Sequence, residues 1–157
     1  RFFELKKETG FPNGTLQHHI NSLIKKEQIN SYYDNAVPRY FTSDIEQSTQ
    51  SVITRLNQNT TSKIIKLLLK KECQTFPQMV KYTRKTPGTV SIYKNKLIQD
   101  KIIIGSTEGC KSCKNYDMKI KYRLINPEKI RTLVEEYGKT SLTKTADNLA
   151  DIFLAIK

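Results

Sequence analysis

The sequence predicts a mainly α-helical chain with small β-hairpins, an α+β fold in which one helix–turn–helix–hairpin unit occurs twice and further helices follow. Three observations predict it: an apolar stripe at helical spacing, a second copy of that stretch, and a positive charge confined to the second copy. The stripe lies in residues 14–24, where Leu16, Ile20, Leu23 and Ile24 fall at i, i+4, i+7 and i+8 and would face a core. Gln17, His18, Asn21 and Ser22 point the other way. A merely solvated face is rich in lysine and glutamate, whereas amides and imidazoles suit a helix that reads base edges.

Displaced by 74 positions, the stretch returns at residues 88–98. Gly14/Gly88, Thr15/Thr89, Asn21/Asn95, Leu23/Leu97, Ile24/Ile98 and Ile29/Ile103 are identical, and Leu16/Val90 is conservative. The register holds upstream through Phe2/Phe76, Leu5/Met79, Lys7/Lys81 and Thr9/Thr83. Each copy reads as helix, tight turn, helix and strand. A polar loop and a second strand follow, Arg39-Tyr40-Phe41 in the first copy and residues 120–124 in the second. A repeat at this spacing implies two domains. The expected boundaries are 1–42 for the first, 43–60 for a linker helix, 61–126 for the second and 127–157 for C-terminal helices.

Residues 15–29 with Arg39-Tyr40-Phe41 resemble the recognition helix and wing of winged helix-turn-helix transcriptional regulators. The likeness is to the ArsR- and MarR-like sets and to bacterial and archaeal regulators that carry two such modules. It covers roughly two thirds of the chain as a fold-level pattern. The resemblance implies tandem winged modules that bind double-stranded DNA sequence-specifically, usually as a homodimer, in a cytoplasmic, nucleoid-associated protein.

The 157 residues suffice for two small domains of this kind, and 37% hydrophobic with 27% charged residues suits a globular chain with a modest core. No apolar run reaches the length of a membrane span, and residues 1–20 lack a signal-peptide pattern. Copy two has a helix before Phe76, so a counterpart upstream of Arg1 is expected. The net charge of +12 is unevenly placed. Residues 1–48 carry six basic and six acidic side chains, residues 127–157 five and five, and residues 49–126 sixteen and four. The whole excess sits on the second copy, which is where a polyanion would be anchored by displacing its counterions.

In copy one, Phe2–Thr9 is the first helix, with Phe2, Phe3 and Leu5 as core candidates, and Asn13 is the expected cap of the second helix. The wing loop is expected over residues 30–38 with Asp34-Asn35 at its tip, and Arg39 at its base against a phosphate or in a minor groove. Ser43-Asp44-Ile45-Glu46 has a capping-box pattern, opening a helix with Ile45, Val52, Ile53 and Leu56 on one face. Residues 57–61 should break it before another helix over residues 62–72. In copy two Thr75 caps the first helix, Pro77 occupies its first turn, and Thr86-Pro87-Gly88 opens the second. Lys94 departs from the pattern, standing where copy one has core Ile20. Tyr93 would fill that volume while Lys94 reaches out to solvent or DNA.

The second wing, residues 105–119, carries Cys110-Lys111-Ser112-Cys113, and Lys111, Lys114, Lys119, Lys121 and Arg123 suit phosphate contacts. A helix with Ile130, Leu133, Val134 and Tyr137 should stop at Gly138. In the last helix Leu142, Ala146, Leu149, Phe153 and Ile156 form a heptad seam, read as a dimerisation element, with intramolecular docking as the other reading.

Cys110 and Cys113 have metal-ligand spacing, but a closed zinc site needs four ligands and only Cys73 remains. The pair reads as free thiols, as a disulfide or redox sensor, or as a metal site with Cys73 or across a dimer; no cofactor is expected, and zinc is the metal such a site would hold. His18 and His19 are adjacent, so His19 should lie half-buried and His18 face the groove. No Walker loop, dinucleotide fingerprint or assignable nucleophile–base set is present, so an enzyme is not expected. The expected base-edge contacts are Thr15, Gln17, His18 and Asn21 in copy one and Thr89, Ser91, Ile92 and Asn95 in copy two. A dimeric transcriptional regulator is the leading reading. The alternatives are a replication or partition factor on DNA, and a winged-helix adapter for another protein.

Overall fold

The computed structural model describes residues 1–107 and 119–137. These form seven helices and two small antiparallel sheets, an α+β chain divided into two compact units, one built on residues 1–51 and the other on 52–136. Two helices open the first unit, α1 (Phe2–Thr9) and α2 (Asn13–Lys25). A hairpin of β1 (Ile29–Asp34) and β2 (Val37–Thr42) follows. Its core is Leu5, Leu16, Ile20, Leu23 and Ile29, with Phe2, Phe11 and Tyr40 packed against them.

The division between units falls within α3 (Gln47–Leu56). The second unit continues with α4 (Asn59–Lys70), β3 (Gln74–Thr75), α5 (Phe76–Thr83), α6 (Pro87–Gln99), β4 (Ile103–Ser106), β5 (Lys121–Leu124) and α7 (Pro127–Tyr137). Helix α4 is its hub: Ile64, Ile65, Leu67 and Leu68 are buried, and the helix packs against α5, α6 and β5. Ile130 and Leu133 of α7 are buried as well.

The two units repeat at an unbroken offset. Helices α1 and α5 have the same length and bounds 74 positions apart, as do α2 and α6. Thr9 Oγ1 donates to the Leu5 carbonyl and Thr83 Oγ1 to the Met79 carbonyl, both at 2.8 Å. Beyond the second helix a single left-handed residue reverses the chain, Glu27 (φ 56°) in one unit and Lys101 (φ 54°) in the other. The next N–H then bonds back into the helix, Gln28 to the Leu23 carbonyl and Ile102 to the Leu97 carbonyl. That reversal delivers Ile29 and Ile103 to the core.

Several expectations are corrected. Phe3 is 75% exposed rather than core, and Ile24 is exposed, because the eighth position of the stripe drifts off the buried face. The cap of α2 is Pro12, with Asn13 already helical, matching Thr86 before α6. Thr86 Oγ1 accepts the Thr89 N–H there at 3.4 Å. Residues 30–38 are mostly strand, and the loop shrinks to Asn35-Ala36, both at positive φ as a tight two-residue hairpin turn requires. Helix α3 starts at Gln47, not within Ser43–Glu46, because the Ser43 N–H still bonds the Gln28 carbonyl at the foot of the hairpin. The break before α4 is only two residues: Thr61 Oγ1 donates to the Arg55 carbonyl, satisfying an acceptor that the end of α3 leaves free, so Thr60 and Thr61 enter the helix buried. Strand β3, unanticipated, pairs with β5 and makes the second sheet three-stranded in the order β3-β5-β4.

Two stability outcomes follow from these contacts. Arg55 Nε donates to Asp100 Oδ2 at 2.5 Å with both side chains largely out of solvent, tying α3 to the end of α6. Asp100→Ala should therefore lower stability by on the order of 3 kcal/mol in urea denaturation, by removing the carboxylate to which the buried Arg55 guanidinium donates. At the end of α5, Arg84 adopts the left-handed conformation (φ 54°) that Gly10 supplies after α1. Arg84→Gly should raise stability by about 0.5–1 kcal/mol in the same assay.

Candidate nucleic-acid interface

Pinning Leu16, Ile20 and Leu23 into the first core turns the opposite face of α2 outward. Thr15, Gln17, His18 and Asn21 are all exposed. Gln17 Nε2 donates to Asn21 Oδ1 at 3.1 Å across one helical turn, so the two amides form one unit. His19 is half-buried with its ring 5.4 Å from that of Phe11, and His18 stays outside.

The same argument applies to α6, where Val90 and Leu97 are fully buried. Ile92 is 59% exposed and Asn95 exposed, while Thr89 and Ser91 are half-buried. The Thr89 hydroxyl is 2.9 Å from that of Thr86, so it is partly engaged in opening the helix.

Lys94 resolves differently from expectation. Rather than Tyr93 filling the volume of Ile20, Lys94 stays half-buried with its Nζ 5.6 Å from the Phe76 ring centre and 5.2 Å from that of Tyr122. It also donates to the Tyr122 hydroxyl at 3.4 Å. Two ring faces attract the ammonium by their quadrupoles. Tyr93 instead lies beneath the ammonium of Lys96, at 5.7 Å. An open cavity of about 470 Å³ forms at Lys94, lined also by Phe76, Pro77, Ser91, Ile120 and Tyr122. Gly105 permits the arrangement. It pairs with Tyr122 across the β4–β5 ladder, and a Cβ there would sit 2.9 Å from the Tyr122 ring. Thr75 caps α5 at the edge of the same cavity, its N–H donating to Gln78 Oε1 at 2.7 Å, a capping partner the sequence reading passed over.

Arg39 is the clearest correction. It is buried, and its Nη2 donates to the buried Asp34 Oδ2 at 3.2 Å, so it belongs to the hairpin and is withdrawn from solvent. On the same strand Tyr40 has its hydroxyl pKa raised by burial and by nearby Tyr33. In the second unit Lys119 and Arg123 are exposed and Lys121 half-buried. Lys111 and Lys114 lie outside the described residues, as do Cys110, Cys113 and the seam Leu142, Ala146, Leu149, Phe153 and Ile156. Cys73 is buried and disulfide-bonded. Among the described residues no three His, Cys, Asp or Glu side chains group as a metal site, and no helix is long and apolar enough to cross a membrane. Searches of family models, of characterised proteins and of solved structures give no match to this chain.

Arg39→Ala should lower stability by on the order of 3 kcal/mol, because it leaves Asp34 buried without its guanidinium. Unaltered stability would show that Arg39 is not held by Asp34.

Proposed function

We propose that this chain is a tandem winged helix-turn-helix protein that binds double-stranded DNA and regulates transcription. The observation that carries the reading is a coincidence within the second unit. The helix–turn–helix leading into an antiparallel sheet occurs in the segment that holds all of the chain's excess positive charge. Phosphate binding needs such a field, and an exposed helix beside a short sheet is the shape that enters a major groove. The second unit supplies most of the affinity through Lys119, Lys121, Arg123 and the lysines of its helices. The first unit, neutral over residues 1–48, contributes base contacts through α2. The heptad seam of residues 142–156 pairs two copies, so that a two-fold operator is read by two chains.

A second reading has its own support. The first unit exposes Phe3, Tyr33 and Val37, and a neutral surface with bare apolar side chains also suits a protein partner. In that case the second unit alone holds the DNA.

The test is fluorescence anisotropy of the full chain on duplex DNA across a salt series. Binding should weaken steeply with salt, and Arg123→Ala should reduce the log–log slope by about 0.9 while leaving base preference intact, the signature of one lost phosphate contact. Weak binding with a flat slope would sink the DNA reading and favour the adapter.

A further inference from the structure

We infer that the target is read at A·T pairs, adenine by the joined amides of Gln17 and Asn21 and thymine by the side chain of Ile92. The inference rests on the DNA reading above and specifies what that interface recognises. The first observation is the bond between Gln17 Nε2 and Asn21 Oδ1 at 3.1 Å on the exposed face of α2. It uses one N–H of Gln17 and one lone pair of Asn21, and leaves the Asn21 nitrogen and the Gln17 oxygen wholly free. Outward, the pair then offers the Asn21 Nδ2 donor beside the Gln17 Oε1 acceptor. If the bond ran the other way, Gln17 Nε2 and Asn21 Oδ1 would be left, again one donor and one acceptor. The major-groove edge of adenine presents the complement, the N7 acceptor and the N6 amino donor. Guanine presents two acceptors, N7 and O6, so one of them would face the amide oxygen. The groups left wholly free, one amide nitrogen and one amide oxygen, therefore match adenine whichever amide donates. The bond biases both side chains toward this arrangement before contact.

The second observation is independent. Ile92 stands on α6 at the position of His18, and 59% of it is exposed. An aliphatic side chain on a groove-facing helix can contribute by excluding water from the thymine methyl, the one apolar group on a major-groove edge. Guanine is commonly read by arginine or lysine; no arginine lies in α2 or α6, Lys94 and Lys96 are each held over aromatic rings, and Lys25 ends α2. His18 can donate to the N7 that both purines carry, so it adds no preference between them.

Four duplexes of one length test this with the full chain. One is of mixed A·T sequence, the second has every thymine replaced by uracil, the third has adenine replaced by its deaza analogue with carbon at N7, and the fourth is G·C. Wild type should prefer the A·T duplex over the G·C duplex by roughly 5- to 150-fold, the span of a good base contact. Removing the thymine methyls should weaken wild type but not Ile92→Ala. Removing N7 should weaken wild type more than it weakens the Gln17→Ala/Asn21→Ala double variant, in which His18 alone is left to donate to N7. All three substituted residues are exposed, so unchanged circular dichroism is expected and keeps loss of fold apart from loss of contact. Equal affinity for A·T and G·C duplexes, or indifference of wild type to both base changes, overturns the inference while leaving DNA binding standing. Failure to bind any of the four overturns the DNA reading and this inference together.

Discussion

Each unit depends on how its second helix hands the chain to the strand that follows. Burying Leu23 and Ile29, or Leu97 and Ile103, in one core requires a reversal within a few residues. Glu27 and Lys101 make it in the left-handed conformation, and the following N–H caps a helix carbonyl. Neither is glycine, so each unit tolerates a local cost of about 1–2 kcal/mol at the same place. The surrounding packing therefore dictates the turn. Once the turn is set, the buried stripe cannot rotate, and the polar residues of α2 and α6 have only one side to occupy. The outward display of Gln17, Asn21 and Ile92 is a consequence of the core.

Against that shared frame, the exchange of Ile20 for Lys94 is the most informative divergence. In the first unit the position is sealed, with Ile20 fully buried alongside Phe2 and Tyr40. In the second, a charge stands there and cannot be left bare in an apolar corner. The unit accommodates it by opening a cavity and by bringing two aromatic faces and a hydroxyl to the ammonium. Gly105 is part of the same solution, since the ring of Tyr122 lies where a side chain would be. One substitution in the core is thus balanced by a glycine on one strand and a tyrosine on the next.

Much of this was legible in the sequence because periodicity and repetition report on burial. The 74-residue register located α1, α2, α5 and α6, and the stripe named Leu16, Ile20 and Leu23. What escaped were features decided by a partner distant in sequence. Arg39 looked like a phosphate ligand because arginine at the base of a wing usually meets solvent, and nothing local revealed that Asp34 would be buried with it. Strand β3 is two residues long and exists only because β5 passes beside it. The turn at Asn35-Ala36 was misplaced because alanine carries no turn signal, and only the strand register puts it at positive φ. The Gln17–Asn21 bond was within reach, since amides four apart on a helix face are neighbours.

The separation of charge from polar display bears on how a tandem protein can be selective. Phosphate contacts raise affinity for every sequence alike, and base contacts raise it for one. Here the amide pair sits on the copy with no net charge, and the cations sit on the copy whose second helix is poorer in exposed polar side chains. In the proposed reading the basic unit keeps the chain on DNA at an affinity set by salt. The neutral unit then samples bases at the high local concentration that covalent linkage provides. Its own contacts can be weak, because they need only distinguish sites already within reach.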